Sequence, residues 1–235
     1  MFDNYLSFHL DKEPSRPIDR ANFKKELAVN YGPYIEDKEL RILEIGPGHG
    51  ELIELLLELG LHHIHAVDVS KEAVDLCNSI LENSTFLTDD TITFIKTSST
   101  HYDRIFILHV LEHIPKIQIV PLLSAAHNVL ADQGIMIIEV PNMANPLVGQ
   151  YFRYADFTHE VGFTESSLEY ALGLAGFKNV RIFPFLDRLS VVQRITQFFF
   201  AALLRFIYRS YKRHVSIFTP SIFAIAQNEL CQIRS

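Results

Sequence analysis

Cysteine is scarce in this chain: there are two in 235 residues, Cys77 and Cys231. Their spacing fits no zinc ligand set and builds no disulfide framework, which agrees with a reducing compartment. Internal repeats and low-complexity tracts are missing, so a solenoid or fibrous architecture is excluded. Positive charge is also in deficit. The formal net charge is −7, which excludes non-specific nucleic-acid binding by the surface as a whole. The first ten residues carry Asp3 and His9 and no long apolar core, so no secretory signal is expected there. The chain is 48% hydrophobic and 21% charged, enough for a substantial core in one domain with an insertion.

One stretch lacks acid entirely. Residues 188–214 contain Arg188, Arg194, Arg205, Arg209, Lys212 and Arg213 and neither Asp nor Glu. This island of +6 within a total of −7 leaves −13 on the remainder. A basic segment in an acidic protein needs its own explanation.

The hydrophobic pattern alternates short apolar runs with helical periodicity. Strands are expected at residues 41–45, 64–67, 92–96, 104–108, 135–140, 180–185 and 222–226. Helices are expected at 17–35, 51–59, 71–81 with Ser70 as N-cap, 117–130, and from Thr164 to Gly176. Pro121 is expected in the first turn of its helix or at a break. Residues 143–163 form a long aromatic connection, and connections of that length are usually functional. Alternating strands and helices predict an α/β fold, doubly wound around a mostly parallel seven-stranded sheet.

The most informative run is Leu43-Glu44-Ile45-Gly46-Pro47-Gly48-His49-Gly50. An apolar strand runs into three glycines at every second residue and then into a helix. Eighteen residues past Gly50 a second apolar strand ends in Asp68. The glycines let backbone approach a ligand, the helix N-terminus favours negative groups, and the carboxylate suits ribose hydroxyls. These parts make a nucleoside-binding edge.

In these motifs the chain resembles the class I S-adenosylmethionine-dependent methyltransferases, which are Rossmann-like. The resemblance covers roughly residues 41–185 plus the last strand. Gly46, Gly48, Gly50 and Asp68 match the cofactor motifs. His109-Val110-Leu111-Glu112-His113-Ile114-Pro115 and the strand ending Val140-Pro141-Asn142 are similar to the branch that includes quinone-precursor and sugar methyltransferases. Asp156-Phe157-Thr158-His159-Glu160, with Ala175-Gly176-Phe177, is similar to methyltransferases of bacterial surface-polysaccharide synthesis. The resemblance implies S-adenosylmethionine as cofactor. Glu44, Gly46, Gly48, Gly50, Asp68, Val69, His109 and Leu111 would contact it, with Thr97 and Ser98 near the adenine in place of the usual acidic residue after strand three. Glu112 and His113 either cap the following helix or face the site, His113 then on the substrate side.

His159 is the expected general base, oriented by Asp156, because a neutral sugar hydroxyl is a poor nucleophile. Metal is not expected, the alternative being a divalent ion held by Asp156, His159 and Glu160. Tyr151, Arg153 and Tyr154 are expected to line a glycan pocket.

The basic segment has its own pattern. Val191, Ile195, Phe198, Phe199, Ala202, Leu203, Phe206 and Ile207 recur at helical spacing, with Arg194, Arg205 and Arg209 opposite. Ten uncharged residues separate Arg194 from Arg205, too few to cross an apolar core about 30 Å thick. An amphipathic helical insertion between strands six and seven is therefore expected to lie on an anionic membrane surface. A helix packed on the domain or in a dimer is the competing reading. The organisation expected is an N-terminal helical segment, 1–36, and a methyltransferase domain, 37–235. That domain includes the loop 143–163 and the insertion 188–214. The function expected is O-methylation of a sugar hydroxyl of a lipid-linked surface glycan, in the cytoplasm at the inner membrane, without nucleic acid and with the oligomeric state open. The rivals are a quinone-precursor or other amphiphile methyltransferase and a non-catalytic partner-binding protein.

Overall fold

The computed structural model describes residues 20–81, 84–88, 90–212 and 214–228. The expectations for residues 1–19, and those for Arg213 and Cys231, lie outside them. Seven strands form one sheet: β1 Ile42–Ile45, β2 Ile64–Asp68, β3 Thr85–Leu87, β4 Tyr102–Leu108, β5 Leu130–Pro141, β6 Asn179–Pro184 and β7 Ser221–Gln227. Their order is β3-β2-β1-β4-β5-β7-β6. All neighbouring pairs are parallel except β5 with β7 and β6 with β7. The helices are α1 Arg20–Tyr31, α2 Glu51–Glu58, α3 Lys71–Leu81, α4 Thr91–Thr97, α5 Lys116–Asn128, α6 Gly149–Ala155, α7 Glu165–Leu174 and α8 Val191–Ser210.

Alternate strand residues feed two core layers, as a doubly wound sheet requires. Leu43, Ile105, Met136 and Ile138 pack on one face against α4, α5 and α7. Ile42, Phe106, Ile137 and Phe223 pack on the other against α1, α2 and α3. Helix α1 belongs to this second layer: Leu27 and Tyr31 are buried in it, and Arg20 and Lys24 pair with Glu54 across to α2. Ser70 caps α3 as expected, its Oγ accepting from the Ala73 N–H at 3.4 Å. Thr164 opens α7 with a capping box to Ser167. Pro121 makes no break: it sits inside α5, which runs through it.

The third strand is a correction. Residues 92–96 form helix α4, not a strand, and β3 is the three-residue Thr85–Leu87. Asp90 decides this locally. Its carboxylate accepts from the Thr93 N–H at 3.0 Å and the Thr93 hydroxyl at 2.6 Å, an N-cap that starts a helix despite the β-branched sequence. Ile95 then turns into the core while Lys96 stays outside.

The order of strands places a topological switch between β1 and β4, and ligands bind beyond the carboxyl ends of strands at such a point. Strand β6 runs parallel to β5 and ends at that edge, and β7 starts there, Ser221 pairing with Pro141 and Ile222 with Pro184. Residues 185–220 therefore leave and re-enter the sheet on the ligand side.

Ile95→Ala should destabilise the protein by about 2–5 kcal/mol, the usual effect of emptying a buried isoleucine site. Lys96→Ala should stay within about 0.5 kcal/mol. Urea midpoints check both.

Candidate active site

A cleft of about 1310 Å³ opens at the switch point, with Glu44, Gly46, Gly48, Asp68, Val69 and His109 among its lining residues. The glycine turn makes its floor. Gly46 has φ +73°, and a Cβ there would sit 2.4 Å from Val110 Cγ2. A side chain is thus excluded twice, by backbone strain and by collision. Gly50 serves differently. It caps α2 at φ +77° and faces Ile80 and Cys77 rather than the cleft.

Buried carboxylates rim this floor. Glu44 is 3% exposed, and its Oε2 has no hydrogen-bond partner. Burial, with the Glu51 and Asp68 carboxylates nearby, pushes its pKa up to about 8. Asp68 is raised by burial, against the lowering effect of the Ser70, Gly48 and Val69 N–H groups. The Ser70 N–H donates to Asp68 Oδ1 at 2.7 Å.

A chain of polar groups crosses the far wall. The Tyr31 hydroxyl donates to Glu139 Oε2, and Glu139 Oε1 meets His109 Nε2 at 2.9 Å. His109 Nδ1 meets Glu112 Oε1 at 3.2 Å. Desolvation opposes a charge on His109, whose side chain is still 42% exposed, but the Glu139 and Glu112 carboxylates outweigh it and raise the pKa of the ring. His109 has φ +53°, a strained backbone for a non-glycine residue, which the ring's two carboxylate contacts hold in place.

At the other end lie Glu112, His113 and His159, all lining the cleft. The loop 143–163 folds over them through α6. Arg153 secures it, its guanidinium donating to the His159 and Glu160 carbonyl oxygens. The Glu112 carbonyl accepts from the Glu160 N–H at 2.7 Å and the Val161 N–H at 3.1 Å. The loop and the turn after β4 are thus joined through backbone hydrogen bonds.

Several expected positions are corrected. Thr97 and Ser98 do not reach the cleft. The Thr97 hydroxyl bonds back to the carbonyls of Thr93 and Phe94, and Ser98 turns to Thr100. Residues 90–93 line the cleft in their place, so an acidic residue, Asp90, does follow the third strand. Leu111 is buried in the core, and Val110 faces the cleft instead. Tyr151 and Tyr154 are 66% and 79% exposed, and Phe152 is the aromatic of this loop that lines the cleft. The one-residue offset follows from α6, which presents a single position per turn inward. Glu160 is exposed and stands outside the histidine cluster, where Glu112 takes its place. Asp156 Oδ2 lies 4.0 Å from His159 Nε2. Glu112 does not cap α5, whose N-cap position is Pro115 and carries no side-chain cap.

A seven-stranded sheet with an antiparallel seventh strand, a glycine turn after β1 and a carboxylate after β2 define a class I methyltransferase fold. Residues 11–182 match the model of a family described as a methyltransferase domain, and the chain belongs to that family. The structure is similar to that of an S-adenosylmethionine-dependent methyltransferase from Archaeoglobus fulgidus. The two are 25% identical with a TM-score of 0.72, over 96% of this chain and 100% of that one. It also shares its fold with N-methyltransferase NodS from Bradyrhizobium japonicum WM9, determined with S-adenosylhomocysteine, at 14% identity and a TM-score of 0.60 over 97% and 98% of the chains. No curated protein matches the chain. The protein is an S-adenosylmethionine-dependent methyltransferase.

The residues present fit that cofactor. The unpartnered Glu44 Oε2 suits the ammonium of the methionine moiety, Gly46 leaves room for backbone contact, and Asp68 suits the ribose hydroxyls. When bound, the cofactor supplies a methyl group on a sulfonium.

Glu44 makes the fit measurable. Its folded pKa, about 8, lies above the ordinary 4.5. The folded protein therefore binds the extra proton, and stability falls as pH rises through that window. At pH 7 the carboxyl is protonated, and an ammonium partner ionises it. Binding S-adenosylhomocysteine at pH 7 should release close to one proton, read by calorimetry in buffers of different ionisation enthalpy. Glu44→Gln should abolish the release.

Proposed function

We propose that this methyltransferase acts on a hydroxyl oxygen, that of a sugar in a lipid-linked surface glycan, at the cytoplasmic face of a membrane. The observation that carries the reading is the position of α8. The segment holding it leaves the sheet at the edge where the cleft opens.

Within α8 only Leu204 is buried. Phe198, Phe199, Leu203 and Phe206 are exposed. Beside them runs a groove of about 560 Å³ lined by Arg205, Arg209 and His214 together with Phe198 and Phe206. Cations set among phenylalanines suit a phosphate head group attached to an acyl or prenyl chain. The helix is long and apolar enough to cross a membrane by length and composition alone. Its ends argue for a helix lying flat. Arg188, just before it, donates its backbone N–H to Glu26 Oε1 at 2.7 Å, and Tyr208 near its end donates to the Ala144 carbonyl at 3.2 Å. The helix is thus anchored to the domain near both ends, while its side chains between those ties stand almost wholly exposed.

The oxygen acceptor is supported by the histidine end of the cleft. The His159 Nδ1–H donates to the Phe152 carbonyl, so the lone pair sits on Nε2. That nitrogen takes the hydroxyl proton as the oxygen bonds to the methyl carbon and the S–C electron pair stays on sulfur. Asp156 positions the loop, its Oδ1 accepting from the Thr158 N–H at 2.8 Å and hydroxyl at 2.7 Å.

With methyl-labelled cofactor, label should enter the lipid-linked glycan fraction. His159→Ala should lower that turnover by about 10²–10⁴-fold with S-adenosylhomocysteine affinity unchanged. Label in a quinone precursor instead, or near-normal turnover in the variant, would remove this reading. The protein should float with vesicles containing phosphatidylglycerol and not with phosphatidylcholine alone. The exposed-site pair Phe198→Asp and Phe206→Asp should abolish flotation, and equal soluble fractions would sink the membrane contact.

A further inference from the structure

The histidine end of the cleft carries more than a base. One ligand atom from each of Glu112, His113 and His159 lies within 4.8 Å of the other two. Glu112 is 1% exposed. Its Oε1 meets His109 Nδ1, and its Oε2 is buried with no hydrogen-bond partner. An orphaned carboxylate oxygen in a buried site calls for a cation.

The hydrogen bonds around the two rings set their tautomers the same way. His159 Nδ1–H is held by the Phe152 carbonyl. The Thr158 hydroxyl donates to Asp156 Oδ1 at 2.7 Å, so its oxygen accepts from the His113 Nδ1–H at 2.8 Å. Both rings therefore carry their lone pair on Nε2. Outer groups that fix ring tautomer and orientation in this way are what metal-ligating histidines need.

We propose that Glu112, His113 and His159 hold a divalent transition-metal cation whose open positions take the acceptor hydroxyl. The inference rests on the reading that an oxygen is methylated, and it departs from the metal-free expectation. Two imidazoles and a carboxylate are the donor set of such ions, with room left for substrate. Donors about 2.1 Å from an ion stand about 3–4 Å apart, so binding draws the three together by about an ångström. The turn holding Glu112 and His113 is already bonded to the loop holding His159 through the Glu112 carbonyl. With the ion in place His159 is a ligand rather than the base. The acceptor oxygen bonds to the methyl carbon, the S–C pair stays on sulfur, and the hydroxyl proton leaves to water. No electron is exchanged, so a redox-inert ion suffices.

The test is Mn²⁺ titrated into the full chain with S-adenosylhomocysteine bound, followed by the electron-paramagnetic-resonance signal of free Mn²⁺. One site per chain is expected. Glu112→Gln and His159→Ala should each weaken it at least tenfold, with S-adenosylhomocysteine affinity unchanged. Thr158→Val, which removes the hydroxyl between His113 and Asp156 and leaves all three ligands in place, should weaken it roughly 10–100-fold and guards against misfolding of the ligand variants. Failure of the wild type to bind Mn²⁺, or equal binding by every variant, overturns the proposal. Full-rate hydroxyl methylation under chelation overturns it too while leaving the oxygen acceptor standing. Label recovered only on nitrogen would remove the oxygen reading even where Mn²⁺ binds.

Discussion

The carboxyl edge of this sheet concentrates negative charge in a poorly solvated place. Glu44, Glu112 and Glu139 are all buried there, with Asp68 close by. A buried carboxylate without a counter-charge is costly enough that it protonates or finds a partner. Glu139 has Tyr31 and the His109 imidazolium. Glu112 shares that imidazolium through one oxygen only. Glu44 has no such partner and keeps its proton. The edge is thus incomplete by itself at Glu44 and at Glu112. A ligand with an ammonium supplies what the fold omits at Glu44, and the cation proposed above would do the same at Glu112.

This arrangement couples ligand binding to stability. Groups that the free protein holds at a disadvantage are relieved on binding, so ligands that fit the cleft stabilise the fold by mass action. Gly46, Gly48 and His109 all have positive φ, and all lie on the two turns that meet across the switch point. The backbone is bent to aim polar groups into the cleft, and the two core layers beneath, one on each face of the sheet, hold the bends in place.

Much of this was legible in the residues. Apolar runs are long and unambiguous in β1, β4 and β5, and the glycine turn and Asp68 stand at the ends of such strands. The failure at β3 has a local cause. Ile92-Thr93-Phe94-Ile95 has strand propensity, and Thr85-Phe86-Leu87 is too short to declare itself. The deciding interaction, the Asp90 carboxylate on Thr93, is a cap whose signal spans three residues and outweighs propensity. Misplacing β3 carried Thr97 and Ser98 into the site and hid residues 90–93. In the loop, Tyr151 and Tyr154 drew attention as aromatics, yet only the helical phase of α6 says that Phe152 faces in, and a seven-residue helix gives little periodicity to read. Glu112 was visible as a residue but ambiguous in role, because its burial depends on the loop 143–163 closing over it.

The insertion and the cleft bear on one another through chain direction. Because β7 alone runs against the sheet, any segment between β6 and β7 begins and ends on the ligand side. On the reading proposed above, a basic, phenylalanine-faced helix in that position would bring the cleft mouth toward the surface the helix binds. A soluble acceptor would gain nothing from such a helix, since diffusion delivers it to any orientation of the cleft. An acceptor anchored in a surface gains both orientation and local concentration, because its reactive group stays within a few ångströms of the plane. The exposed Phe198, Phe199 and Phe206 would otherwise be an aggregation hazard on a protein of this size. Their retention beside Arg205 and Arg209 makes sense where an anionic amphiphilic surface covers them while the cleft works.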